Sequence, residues 1–390
     1  VPRAPACFQS LALAIACDVI RRSDRDHAAD GVLRLELRKR ADLSPATRRE
    51  ISEAFFGYYR WRGWLDRKKP LESRVAHALE LAGRFRRNPF TLPEATLRAK
   101  AVPEWTADEM DCPLEWLRSL QREPHVWLRA RRGQGRALAK KLRAARTVAL
   151  PDAVLYEGRQ DLFRTAEFQA GEFELQDINS QVVGALCDPK PGETWWDACA
   201  GEGGKTLHLA DLMQNKGSLL ATDRAEWRLD KLRQRAARAG VFNYRAAPWD
   251  GGENLPANVP FDGILVDAPC SGVGTWQRNP HARWTTRRAD VKELGGIQTE
   301  LLAHAAPAVK PGGKLVYAVC TMTRAETVEV VAAFERRYPE FEPLLLANPF
   351  PPNQTAAQLW FWPQHTRGNG MFVAAWRNSS ASFAGSRVCP

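Results

Sequence analysis

The sequence predicts an α/β protein with a doubly wound sheet, preceded by a small α/β subdomain and a helical domain. Three observations predict it. From about residue 176 onward, short apolar runs alternate with helical patterns, as they do in a sheet wound on both faces. Two of those runs, Phe261-Asp-Gly-Ile-Leu-Val-Asp-Ala-Pro-Cys270 and Gly313-Lys-Leu-Val-Tyr-Ala-Val-Cys320, flank a helical pattern over residues 297–309. That pattern sets Ile297, Leu301, Leu302, Ala305 and Val309 on one face, and Lys310-Pro-Gly-Gly313 reads as its stop. Residues 1–110, by contrast, show only helical periodicity. Strand, crossover and strand imply parallel neighbours. Cys270 and Cys320 are therefore expected at the carboxyl ends of adjacent strands, which lie about 5 Å apart. Open sheets bind their ligands on that rim.

In the helical domain, residues 8–20 form the first amphipathic pattern. Ser44-Pro45 reads as a helix start, with Ser at the cap and Pro at the first position. Ile51, Ala54, Phe55, Tyr58 and Tyr59 then share one face. Arg60, Arg62, Arg67, Lys68 and Lys69 follow, a solvated edge on the plain reading and an RNA or protein contact on the sharper one.

Residues 111–175 change character. Pro124-His-Val-Trp-Leu-Arg129 is a strand candidate, Gly133-Gln-Gly135 a turn, and residues 136–146 a helix. Between 118 and 146, ten Arg and Lys residues face one acid, Glu123. A solvated helix needs no such excess, and a guanidinium fork suits phosphate. Residues 176–378 hold strands at 193–199, 217–223, 242–246 and the two cysteine-ended runs, with helices at 206–213 and 226–239. Residues 358–362 and 371–376 read as a hairpin pair, and 379–390 as a tail.

The 390-residue chain is 44% hydrophobic and 26% charged, as globular proteins are, with a net charge of +11 that favours a polyanionic partner, nucleic acid first. Its eight cysteines include no C-x-x-C pair and no histidine spacing of a zinc site, so no metal is expected, and their dispersal suggests a reducing, cytoplasmic setting. No apolar run approaches the roughly 20 residues of a membrane span. Residues 8–17 resemble a short signal core, but an amphipathic helix explains them better.

The chemistry concentrates on the rim. Asp197-Ala-Cys-Ala-Gly-Glu-Gly-Gly-Lys-Thr206 is a glycine-rich turn after the first strand, lacking the spacing of a phosphate loop or a dinucleotide fingerprint. Asp223 ends the next strand, 22 positions after Gly201, where an acid suits a ribose diol. A glycine turn and a ribose acid without a phosphate site fit a nucleoside cofactor such as S-adenosylmethionine. A thiolate adding at carbon-6 of a pyrimidine makes carbon-5 nucleophilic enough to take a methyl group. Asp267, three residues before Cys270, would engage N3 and the exocyclic amine. Either thiol alone reads better as a small core residue. A pair at adjacent strand ends does not.

These motifs resemble the RsmB/Nop/Sun family of RNA cytosine-5 methyltransferases over residues 113–377. The likeness rests on Phe173-Glu-Leu-Gln-Asp-Ile-Asn-Ser-Gln181, the glycine turn, Asp-Ala-Pro-Cys270-Ser-Gly-Val-Gly-Thr, Tyr317-Ala-Val-Cys320-Thr with Glu326 after it, and His365-Thr-Arg-Gly-Asn-Gly-Met-Phe372. The family usually has Ala-Pro at Gly201-Glu202, Thr before the second cysteine where Val319 stands, and Asp and Phe at Asn369 and Met371. The resemblance implies a Rossmann-like methyltransferase sheet with Cys320 as nucleophile and Cys270 assisting product release. It sets Cys199, Ala200, Gly201, Gly203, Gly204, Lys205, Asp223, Arg228, Asp250 and Asp267 around S-adenosylmethionine, with Lys205 and Asp267 also beside the base. Residues 111–175 would be an RNA-binding subdomain, with Arg131, Arg132, Arg136, Arg278 and Arg283 on RNA. Residues 43–66 weakly resemble a NusB-like domain. The expected substrate is ribosomal RNA, and the expected state a monomer. Transfer RNA, a small-molecule substrate and an RNA-binding assembly factor without turnover are the rival readings.

The loop 271–296 carries Trp276, Arg278, Asn279, Pro280, Arg283 and Trp284. It reads either as a lining for a flipped base or as ordinary tryptophan packing.

Overall fold

The computed structural model describes residues 10–257 and 259–380. Cys7, Cys389 and most of the expected tail fall outside them. The chain divides into two compact units, Val1–Pro124 with Gly272–Asp290, and His125–Ser271 with Val291–Pro390.

The first unit is helical. Ser10–Arg21, Ala29–Lys39, Pro45–Trp61 and Leu71–Arg87 are its longer helices. Pro45–Trp61 starts as its sequence predicts: Ser44 Oγ accepts the Thr47 N–H at 3.1 Å, and Pro45 needs no donor there. Its buried face is Ile51, Ala54, Phe55, Tyr58 and Tyr59, joined by Trp61. Burying a side chain such as Phe55 contributes roughly 1.5–3 kcal/mol. Residues 272–290 belong to this unit, although they begin only two positions after Cys270. Trp276 of that segment is fully buried, stacked on Trp116 and edge-on to Trp105.

The second unit holds two main sheets. In the smaller, β1 (Val126–Ala130), β2 (Ala145–Arg146), β3 (Ala153–Tyr156) and β4 (Phe173–Leu175) run antiparallel in the order β2-β3-β1-β4. The helix Gly135–Leu142 is shorter than the expected 136–146, because Arg143 turns left-handed at its C-cap and Ala145–Arg146 join the sheet.

The larger sheet contains β5 (Thr194–Asp197), β6 (Ser218–Asp223), β7 (Tyr244–Pro248), β8 (Phe261–Asp267), β9 (Val309–Val319) and β10 (Phe341–Pro343). A two-stranded ladder, β11 (Leu346–Ala347) with β12 (Thr355–Ala356), stands apart. The chain then returns to the larger sheet through β13 (Gln358–Phe361) and β14 (Met371–Asn378). The order is β10-β14-β9-β8-β5-β6-β7, with β13 also on β14. β5 to β9 are parallel, and β14 is antiparallel to β9. Chain order reverses at β5, with β6 and β7 on one side and β8 and β9 on the other, which makes the β5/β8 rim a topological switch point.

Alternation along β9 sends Leu315, Tyr317 and Val319 into one core and Val316 and Ala318 into the other. Close packing also fixes Gly263 in β8, where a Cβ would lie 2.2 Å from the Trp195 ring. The crossover helix is Arg288–Ala305, earlier at both ends than the sequence pattern indicates. Pro307 cannot continue an α-helix, so the chain tightens into a 3₁₀ turn at Ala306–Ala308. Ile297 is exposed, contrary to the expected face. Leu301, Leu302, Ala305 and Val309 of that face are buried as expected, and Gln298 is buried with them. The supposed stop at 310–313 is an irregular start of β9, with a register shift opposite Phe261 and Gly263.

Candidate active site

Five parallel strands, β5 to β9, deliver side chains to one rim. β5 ends at Asp197, and the turn beyond it holds Gly201 and Gly203 at φ +54° and +84°. A Cβ on Gly203 would lie 2.6 Å from Leu232, so only glycine allows this turn to lie down before the helix Gly204–Leu212. Ala200 donates its N–H to the Thr222 carbonyl at 2.7 Å. Asp223, at the end of β6, accepts the N–H of Gly201 at 3.0 Å on Oδ2 and that of Ala225 at 2.8 Å on Oδ1. Each carboxylate oxygen retains acceptor capacity. The Arg228 guanidinium lies 3.7 Å from Asp223. Asp250 follows β7, exposed, and accepts the Gly252 N–H at 2.9 Å.

Asp267, at the end of β8, pairs with Lys205 at 2.5 Å. Burial opposes the charge on Lys205, yet Asp267 beside it, with Cys320 and Asp197 adding to the effect, holds its pKa above the ordinary range. Asp197 is fully buried; Oδ2 accepts the Thr206 hydroxyl at 2.7 Å and Oδ1 has no hydrogen-bond partner. Burial, with Asp267 and Asp223 nearby, pushes its carboxyl up to about 7 against the pull of Thr206 and Lys205. Burial first, then Asp197, Asp267 and Asp223, pushes the Cys199 thiol well up, which makes it a poor nucleophile at neutral pH.

β8 and β9 are parallel neighbours with Asp267 opposite Ala318. Their continuations bring Cys270 Sγ and Cys320 Sγ to 3.2 Å, both as half-buried thiols rather than a disulfide. Cys17 and Cys187 differ: both are buried, and burial pushes the Cys17 thiol up to about 11. Two accessible thiols, an ammonium–carboxylate pair and the ribose-type acid Asp223 thus share one rim. Such a set can add sulfur to an electrophilic ring carbon and balance the charge that develops. Among the described residues no group of three or more His, Cys, Asp or Glu could hold a metal ion. No helix among them is long and apolar enough to cross a membrane.

A family model described as 16S rRNA methyltransferase RsmB/F matches residues 184–377. The chain belongs to the RsmB/Nop/Sun family. It is 40% identical over 218 residues to a Bacillus subtilis protein named probable ribosomal RNA small subunit methyltransferase B, covering 54% of this chain and 48% of that one. It is 41% identical over 178 residues to the mouse tRNA (cytosine(72)-C(5))-methyltransferase NSUN6, covering 42% and 37%. The chain thus spans about half the length, or less, of these relatives. The crystal structure of PH0851 superposes with a TM-score of 0.78 at 23% identity, over 96% of this chain and 99% of that one, which is a likeness of fold.

The basic residues expected on RNA in this family member divide sharply. Arg132 and Arg136 are exposed; the Arg132 backbone N–H bonds to Asp211, leaving its guanidinium outside. Arg131 is held by Asp211 at 2.8 Å and by the Ala239 carbonyl, and Arg129 beside it is buried on Gln176 and Asp211. Arg278 is exposed in the helical unit. Arg283 is not available to RNA. It is fully buried and donates to the carbonyls of Arg60, Ala101, Leu120 and Trp276 at 2.9–3.4 Å. These carbonyls lie at the C-terminal ends of Pro45–Trp61, Glu94–Lys100, Leu114–Ser119 and the turn Val273–Thr275, where helices leave acceptors unpaired and favour a cation. Trp284 likewise donates to the Tyr59 carbonyl at 2.7 Å. Packing, not base stacking, accounts for Trp276, Trp284 and Arg283. Asp197 and the buried Gln298 and Tyr317 are site-side residues that sequence reasoning did not single out. Their signal was the first position of a quoted motif for Asp197 and Tyr317, and the crossover pattern alone for Gln298.

Proposed function

We propose that the chain transfers a methyl group from S-adenosylmethionine to carbon-5 of a cytosine in RNA, ribosomal RNA first. The observation that carries this reading is the pair of thiols 3.2 Å apart at adjacent strand ends, beside the Lys205–Asp267 pair. The left-handed turn at Gly201 and Gly203 and the remaining lone pairs of Asp223 fit a nucleoside lying along the rim, with Cys199, Ala200, Gly204, Arg228 and Asp250 bordering it. S-adenosylmethionine supplies an electrophilic methyl group there.

Cys320 as thiolate forms a bond to carbon-6 of the cytosine, and the electron pair released into the ring makes carbon-5 the nucleophile. Asp267 accepts from the exocyclic amine while the Lys205 ammonium offsets charge growing at N3. After methylation carbon-5 carries a proton that must leave. Cys270 assists by accepting that proton on its sulfur, and the electron pair of the broken C–H bond expels the Cys320 sulfur from carbon-6 as a thiolate. RNA contact falls to exposed cations such as Arg132, Arg136 and Arg278. The 41% identity to a transfer RNA enzyme supports transfer RNA as the second substrate reading.

The test is transfer of labelled methyl from S-adenosylmethionine to small-subunit ribosomal RNA and to transfer RNA, with bisulfite sequencing to locate the base. One protected cytosine in ribosomal RNA is the expected result. Label in transfer RNA alone moves the reading to the second substrate, and cofactor binding without any label leaves an assembly factor.

A further inference from the structure

We infer that Glu326 is the positioning residue that sets the two thiols against each other. Glu326 sits on the 3₁₀ turn Arg324–Glu326 and is fully buried. Its Oε1 accepts the Ser271 N–H at 2.7 Å and Gln298 Nε2 at 3.1 Å. Its Oε2 accepts the hydroxyls of Thr321 at 3.1 Å and Thr323 at 2.8 Å, and that of Ser271. Ser271 is the residue after Cys270, and Thr321 is the residue after Cys320. One carboxylate therefore grips the chain immediately beyond each thiol. Their two hydroxyls also lie 3.1 Å from each other. The anchor is itself braced: the Tyr317 hydroxyl donates to the Glu326 carbonyl at 2.7 Å, and Gln298 also donates to the Pro269 carbonyl at 2.9 Å, on the other side of Cys270.

A buried anion is an expensive way to pack a core. The five donor groups that meet it, from Ser271, Gln298, Thr321 and Thr323, are uncharged. What the carboxylate does uniquely is accept from two loops at once, which neutral side chains of its size cannot do with five acceptor contacts. The strands alone leave the loops after Asp267 and Val319 free to drift. A drift of about 1 Å between reacting groups costs on the order of a hundredfold in rate. Glu326 acts through its bonds to Ser271 and Thr321.

The catalytic consequence rests on the cysteine-adduct reading above, whereas the thiol geometry does not, so the two are tested apart. In the full chain, Glu326→Ala and Glu326→Gln are compared with wild type for closure of a Cys270–Cys320 disulfide by diamide. In that reaction the two thiols give up two protons and two electrons, and diamide becomes its hydrazine. Alkylation of Cys320 by iodoacetamide in a Cys270→Ala background reports the reactivity of one thiol alone. Closure is expected to slow by about tenfold or more in Glu326→Ala and about threefold to tenfold in Glu326→Gln, with alkylation unchanged within about twofold. Closure in Glu326→Gln at the wild-type rate overturns the proposal, and so does alkylation that falls in parallel with closure. The Gln variant keeps two acceptor contacts and decides the matter should the Ala variant not fold. Failure of the wild type to methylate RNA would remove the adduct reading and leave these closure rates standing.

Discussion

Arg132 and Arg283 are both expected on RNA from sequence, and the structure treats them in opposite ways. On the small sheet, Asp211 gathers Arg129, Arg131 and the backbone of Arg132, and leaves the Arg132 and Arg136 guanidinium groups in solvent. In the helical unit, Arg283 is enclosed and ties together the carbonyl ends of four helical segments. The first arrangement leaves charge free to meet a polyanion. The second uses charge to satisfy acceptors that the helices cannot satisfy themselves. The thiols repeat the contrast: Cys270 and Cys320 stay accessible at a rim, while Cys17 and Cys187 fill cores.

The largest expected effect separates thiol from thiol. Cys320→Ala should lower methyl transfer on the order of 10⁴-fold or more with the fold intact. Cys270→Ala should instead accumulate a protein–RNA adduct on denaturing gels, as 5-fluorocytosine RNA should in the wild type. An adduct in Cys320→Ala and none in Cys270→Ala would reverse the two roles.

Arg283→Met should lower the denaturant stability of the chain by about 2–4 kcal/mol, because four carbonyls lose their donor. Cofactor affinity should not change. A Met variant as stable as wild type that binds RNA more weakly would return Arg283 to the RNA surface.

Asp197 gives a pH dependence. Its folded value of about 7 lies above that of an unfolded carboxyl, so the fold binds more protons than the unfolded chain between about pH 4 and 7. Its contribution is complete below the unfolded value and is lost as pH rises through 7. Asp197→Asn should remove about 2 kcal/mol or more of the stability lost between pH 5 and 7.5. Equal urea midpoints shifts in mutant and wild type would show that the group stays charged in the fold.

The smallest effect sharpens the opening contrast most directly. Arg132→Ala with Arg136→Ala should weaken RNA binding and reduce the salt slope by up to about 0.7 per lost contact. An unchanged slope would make these two residues a solvated face, and Arg278 the next candidate.

Much of this site was legible beforehand. Alternating patterns located β5 to β9, and Pro45 with Ser44 located the start of a helix to the residue. The parallel crossover brought Cys270 and Cys320 to one rim, since a strand–helix–strand unit leaves little choice of hand or neighbour. Arg283 was misread because its sequence neighbours, Arg278 and Trp284, suit RNA as well as a core. Ile297 was misread because apolar spacing alone does not say which turn of a long helix meets the sheet.

By itself, then, the sequence determined what short-range physics can specify: strand and helix periods, the glycine turn at 201–203, and two thiols at the ends of parallel neighbours. Tertiary structure alone decided which charges are free and which are enclosed. It paired Lys205 with Asp267, raised Asp197 by burial, closed four helix ends on Arg283 and set Glu326 across both cysteine loops. Each of those depends on residues tens to hundreds of positions apart, and on how much water their packing excludes, which no local pattern records.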